Sequence, residues 1–117
     1  MKIERWGSGA MGRNHTVAHN ETVWVVSNAI SPNGDFATQV NETLGLLDAF
    51  LEQAGSSREG LVSVQVILAD IRDRDRFNEI WCRWVGANPA NWPQRAIFGA
   101  ALAPGLLLEV TATAVRG

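Results

Sequence analysis

The sequence predicts an α+β fold, with two helices packed on one face of a mostly antiparallel sheet. Three observations carry that expectation. Up to Ser27 the chain alternates β-branched and aromatic runs with short polar turns. Two later stretches repeat apolar residues at helical spacing, with an apolar strand between them. The last 25 residues hold two further strands around a Pro-Gly turn.

Ile3 to Trp6 form the first expected strand, and the glycine-rich segment Gly7 to Gly12 follows it. Thr16 to His19 and Thr22 to Ser27 read as a hairpin turning at Asn20-Glu21, with Val23-Trp24-Val25-Val26 in its second arm. Ser31-Pro32-Asn33-Gly34 marks a loop, and Asp35 is placed to cap the helix after it. In that helix Phe36, Val40, Leu44, Leu47 and Leu51 share one face. Gln39, Asn41, Glu42, Asp48 and Glu52 fall mostly on the others, and Gly55 ends it. Leu61 to Ala69 is the next strand, with Val62, Val64, Val66 and Leu68 on one face and Ser63, Gln65 and Ile67 on the other. Asp73 is placed to cap a second helix whose apolar face is Phe77, Ile80, Trp81, Trp84 and Val85, ending near Gly86.

The final two strands read as a hairpin through Ala103-Pro104-Gly105. In the second of them Leu108, Val110, Ala112 and Ala114 form a face that suits the helices. Leu107, Glu109, Thr111 and Thr113 form a mixed face that suggests a wet pocket or a subunit interface. With Leu102 paired near Leu106, Glu109 falls near Gly99 and Arg95 near Thr113. The two charges are then ~13 Å apart at the usual strand rise, too far for an ion pair within the hairpin.

At 117 residues the chain is expected to be a single domain spanning 1–117, large enough for a core without disulfide staples. Its 46% hydrophobic and 19% charged content is that of an ordinary soluble globular protein. A net charge of -2 argues against a non-specific nucleic-acid binder, and Asp70, Asp73 and Asp75 cancel Arg72, Arg74 and Arg76. No apolar stretch has the length of a membrane span, and the N-terminus lacks the apolar segment of a signal peptide. Cys82 is the only cysteine, which fits a reducing, cytoplasmic location. Neither nucleic acid nor membrane is an expected partner.

Arg95 and Glu109 stand out chemically, because a charge in a half-buried strand is costly unless it is paired or used. Gly7-Ser8-Gly9-Ala10-Met11-Gly12 matches G-x-G-x-x-G. It continues into strand-like His15-Thr16-Val17, not into a helix whose amides would face a pyrophosphate. His15 and His19 are the only histidines and sit in that strand-like stretch, so no metal is expected. Cys82 lies off the apolar stripe with no histidine partner and reads as neutral. Trp81 and Trp84 read as core. Trp92, beside Pro93, either walls a pocket or sits in an interface. Arg95 is either a ligand anchor or a strand-end arginine whose head reaches water. Glu109 either acts on a ligand or pairs with a neighbouring subunit for assembly. If both act on one small ligand, symmetry-related chains must bring them together.

Taken in order, the residues from about Val23 to Val115 resemble the RidA/YjgF family of enamine/imine deaminases, a group also described as endoribonucleases. The marks are a strand ending in Ser27, Gln39 opening the long helix, Ala54-Gly55 closing it, and Leu68-Ala69-Asp70 after the central strand. Phe77-Asn78 with Trp81 and Trp84 looks like the family's second helix. Pro93-Gln94-Arg95 followed by Leu107-Leu108-Glu109-Val110 looks like its signature block.

The resemblance implies a chorismate-mutase-like subunit of element order βββαβαββ. It also implies a homotrimer with its sheets in a central barrel, helices outside, and three ligand sites between subunits. The implied chemistry is hydrolysis of 2-imino acids to 2-keto acids and ammonia, with no cofactor because an imine is already an electrophile. Arg95 would grip the carboxylate of a small-molecule substrate with its planar fork. Glu109 would orient and deprotonate the attacking water. Backbone groups around Ser27 and Asn28 would line the same pocket.

Three positions depart from the pattern. The usual Ser-Gly-Gln is Ser27-Asn28-Ala29, where Asn tolerates the left-handed backbone glycine adopts. Ile97 stands where the family often has cysteine. The family's N-terminal tyrosine falls near Arg13 or Asn14, and Arg13 either favours a dianionic ligand or faces water. The runner-up is a non-catalytic member that binds a small carboxylate or a protein partner in the same cleft. The acidic balance and the lack of a histidine acid/base pair count against a ribonuclease.

Overall fold

Alternating burial along the strands decides which face of the sheet meets the helices. The computed structural model describes residues Met1–Gly117. Strands β1 (Glu4–Gly7), β2 (Asn14–His19) and β3 (Thr22–Ser27) form an antiparallel meander. Asn20, at φ 52°, makes the tight turn between β2 and β3. The glycine-rich segment runs directly into β2, as expected of a connection, with φ of 81° at Gly9 and 84° at Gly12.

Helix α1 (Phe36–Gln53) begins at Asp35, whose carboxylate accepts the Thr38 amide at 2.8 Å. Its expected apolar face is the buried one: Phe36, Val40, Leu44, Leu47 and Leu51 are at most 5% exposed. Each such side chain stabilises the fold by about 1.5–3 kcal/mol. Gln39 corrects the expectation, for it is fully buried. Its Nε2 donates to the carbonyls of Gly34 (3.1 Å) and Gly105 (2.8 Å), and its Oε1 accepts the Leu107 amide at 2.9 Å. A satisfied amide can occupy an apolar face, and two of these partners, Gly105 and Leu107, are distant in sequence.

Strand β4 (Leu61–Leu68), helix α2 (Arg74–Val85) and strand β5 (Gln94–Gly99) form a βαβ unit in which β5 runs parallel to β4. Strand β6 (Leu108–Val115) lies between β3 and β4, antiparallel to both. The sheet order is therefore β1-β2-β3-β6-β4-β5, and the expected β5–β6 hairpin does not form. A helical crossover from β4 favours a parallel return. The fully alternating apolar face of β6 suits a strand paired on both sides, whereas β5 suits an edge, being entered through Pro93 and carrying Arg95 and Gly99. Hydrogen bonds from Ala69 N to Leu107 O and from Ala100 N to Leu68 O, both 3.0 Å, tie the crossing loop over the end of β4.

Three smaller corrections follow. Val62 is 51% exposed because the β4–β6 register shifts between Leu61 and Ser63, so Leu61 takes the core position instead. Asp73 precedes α2 but makes no cap hydrogen bond; its carboxylate pairs with Arg76 at 2.6 Å. Trp81 is core, but Trp84 is only partly buried at the α1–α2 seam. Its Nε1 donates to Asp48 Oδ2 at 3.1 Å, and the Arg58 guanidinium lies 4.4 Å from its ring centre.

Both helices cover the face formed by Val23, Val25, Val64, Val66, Leu108 and Val110. The opposite face stays open, with Trp24 44% and Phe98 46% exposed. No helix is long and apolar enough to cross a membrane.

Candidate functional site

Strand register separates the two charges that the sequence singles out. Arg95 shares a row with Val64 and Ala112, and Glu109 shares one with Ile67 and Phe98. They lie three rows apart, roughly 10 Å along the strands, and row parity puts them on opposite faces of the sheet. Each opens into a pocket of its own.

Arg95 faces α2. Its guanidinium carbon lies 5.2 Å from the Trp81 ring centre and 5.7 Å from that of Phe77. It makes no side-chain hydrogen bond or ion pair; the chain's ion pairs engage Arg58, Arg72, Arg76 and Arg116. Burial lowers its pKa, with neighbouring Cys82 opposing the shift. Arg95 remains a cation, partly desolvated and without an anion in the chain.

The cavity beside it, about 540 Å³, is lined also by Trp81, Cys82, Trp92 and Asn78. Trp92 is 51% exposed and donates its Nε1 to Gly86 O at 2.8 Å, which stands the indole at the rim. Asn78 was not singled out for chemistry from sequence. Its Oδ1 is buried with no hydrogen-bond partner, on the same helical stripe as Trp81 and Val85. The available signal was an asparagine on an apolar helix face, where such a side chain needs a partner.

Glu109, on the open face, lines a larger cavity of about 700 Å³ that extends to α1. Asn28, just past the end of β3, donates its Nδ2 to Glu109 Oε1 at 3.2 Å. Arg13 and His15 reach the same cavity from β2 and its preceding loop, and Phe50 reaches it from α1. His15 stacks on Phe50 with ring centres 3.7 Å apart, and burial lowers its pKa. Sequence reading missed Phe50 and gave His15 no part here, because neither spacing reports a stack between a strand and a helix.

The remaining candidates fall elsewhere. Ser27 is buried, and its Oγ donates to Thr43 O at 2.7 Å, holding β3 to α1. Ile97 packs against the core and lines neither cavity. One chain thus presents two separate cavities: one with a carboxylate, an amide and a cation, the other with an unpaired arginine set among aromatics.

Residues 7–116 match the protein family described as endoribonuclease L-PSP. A RutC family protein of Haemophilus influenzae is 37% identical over 65 residues, which are 56% of this chain and 54% of that protein. A human protein named 2-iminobutanoate/2-iminopropanoate deaminase is 33% identical over 86 residues, 73% of this chain and 61% of that one. The chain therefore spans only 54% to 61% of the length of these two relatives. A solved YjgF-family structure from Neisseria meningitidis superposes with a TM-score of 0.90 at 26% identity, covering 100% of this chain and 97% of that one. A structure of an uncharacterized Pseudomonas aeruginosa protein gives 0.88 at 30% identity, covering 99% of this chain and 100% of that one.

Proposed function

The chain belongs to the endoribonuclease L-PSP family, the YjgF/RidA group, and from that premise we propose that it hydrolyses 2-imino acids to 2-keto acids and ammonia. The observation that carries this reading is Arg95, a partly desolvated guanidinium with an open cavity before it and no anion in the chain to meet it. A substrate carboxylate supplies that anion, held by two parallel N–H donors. In this reading the cleft forms between copies of the chain in a homotrimer, so that Arg95 of one copy faces Glu109 of the next. The separation of the two residues within one chain favours such a shared cleft.

The chemistry then needs one mobile proton. Glu109 takes it from water as the water oxygen bonds to the imine carbon. The C=N π pair moves to nitrogen, which receives that proton from Glu109, giving a carbinolamine. Glu109 next carries the hydroxyl proton to the amino group, the C–N bond breaks, and ammonia leaves as the C=O bond forms. Asn28 orients the Glu109 carboxylate for both transfers.

The test generates imines with an amino-acid oxidase and follows their loss. Wild-type protein is expected to accelerate the loss. Arg95→Ala and Glu109→Gln are expected to lower kcat/KM by at least ~100-fold, the scale of a general base or a substrate anchor.

A second reading, carboxylate binding without turnover, draws on the same Asn28 contact, since an amide donating to Glu109 engages the oxygen a water would need. A folded protein that binds 2-keto acids through Arg95 but accelerates no imine would establish it.

A further inference from the structure

We infer that the Arg13 side of the larger cavity is a subsite for a second carboxylate, making short dicarboxylic 2-imino acids the preferred substrates; this rests on the deaminase reading and sharpens it. Arg13 lines the cavity that holds Glu109, and no carboxylate in the chain pairs with it. Its carbonyl is engaged, accepting Ser8 Oγ at 2.9 Å, while its guanidinium makes no hydrogen bond. The main chain at Arg13 is thus pinned while the head of the side chain stays available.

The glycine-rich loop acquires a purpose here. With Gly9 at φ 81° and Gly12 at 84°, it folds back so that Gly7 and Ser8 wall the same cavity as Arg13. Both φ values lie in the left-handed region that glycine tolerates best. The cavity therefore has one carboxylate, Glu109, already held by Asn28, and one exposed arginine, Arg13, free of any partner within the chain. At about 700 Å³ it lies well above the low end of ligand pockets, ~300 Å³, and has room beyond the reacting carbon. If Arg95 of the neighbouring copy takes the carboxylate next to the imine, Arg13 is placed for a carboxylate at the far end of the side chain. A bidentate guanidinium–carboxylate contact favours such a ligand by roughly 10- to 100-fold.

The experiment has two arms. In the first, imines of aspartate and glutamate are compared with those of alanine and 2-aminobutyrate in wild type, Arg13→Gln and Arg13→Lys. Wild type is expected to prefer the diacids by about tenfold or more in kcat/KM. Arg13→Gln should erase that preference through KM, and Arg13→Lys should restore part of it. In the second arm, calorimetry compares 2-oxosuccinate and 2-oxoglutarate with pyruvate and 2-oxobutanoate. Diacid-selective binding that Arg13→Gln abolishes supports the subsite even if no imine is turned over, an outcome that would defeat only the deaminase reading. Equal handling of the two classes, a preference for long apolar side chains, or equal loss for all substrates in Arg13→Gln overturns it.

Discussion

Arg95 and His15 show how one physical cost, desolvation of a charge, gives different behaviour in different side chains. Arg95 keeps its proton under aromatic rings, because a guanidinium titrates far above any working pH. It cannot shed its charge, so an anion or water in the cavity must meet it. His15, stacked on Phe50, is pushed below its usual 6.5 by burial and can relieve the cost by staying neutral. The sign of the consequence for stability follows. As pH falls through 6.5 the unfolded chain binds the proton before the folded one does, so the residue makes folding less favourable. That loss stops accumulating below the folded pKa. Urea midpoints at about pH 8 and about pH 5 should therefore fall more steeply for wild type than for His15→Gln. Parallel slopes would mean that the stack does not perturb the imidazole.

At the scale of elements, Gln39 joins α1 to the Ser31–Gly34 loop and to the chain leading into β6. Gln39→Leu fills similar space but strands the Leu107 amide and two carbonyls. It should destabilise the protein by about 1–3 kcal/mol, measured as a lower urea midpoint with an unchanged slope. An unchanged midpoint would mean that water replaces the amide without cost.

The elements also show what the sequence makes legible. The β1–β3 meander and both helices follow from local periods, and the structure places them within a residue or two of expectation. The expected β5–β6 hairpin is the local default, whereas both strands pair with β4, one on each side of it. The strand–helix–strand order of β4, α2 and β5 was the available signal, since such a crossover favours parallel pairing. The Val62 bulge left no mark in a run that is apolar at every second position. At the candidate site, Arg95 and Glu109 are legible as charges in apolar strands, whereas Arg13 stands out only through the family resemblance. Asn78 and Phe50 are not legible, because their meaning depends on a cavity assembled from several elements.

For the whole molecule, the question is what covers the face that the helices leave open. Trp24, Val26, Phe98 and Val115 are each at least 37% exposed, and β5 leaves an unpaired strand edge. Such a surface favours association with further copies, and a shared cleft gives the association a purpose. Light scattering should find wild type associated, as the trimer that the proposed function assumes. Trp24→Glu should dissociate it while leaving the fold intact, because Trp24 is 44% exposed within one chain.

A stronger demand can be placed on the cleft itself. Arg95→Ala and Glu109→Gln should each be inactive alone. If each cleft takes Arg95 from one copy and Glu109 from another, co-expressing the two variants rebuilds intact clefts. Random mixing of equal amounts makes about a quarter of the clefts complete. Imine hydrolysis should then return to about a quarter of the wild-type rate per cleft. Separately purified variants mixed without subunit exchange should stay inactive. No recovery from trimers shown to contain both variants would mean that Arg95 and Glu109 do not serve one cleft across an interface, and the proposed assembly of the site would fall with that result.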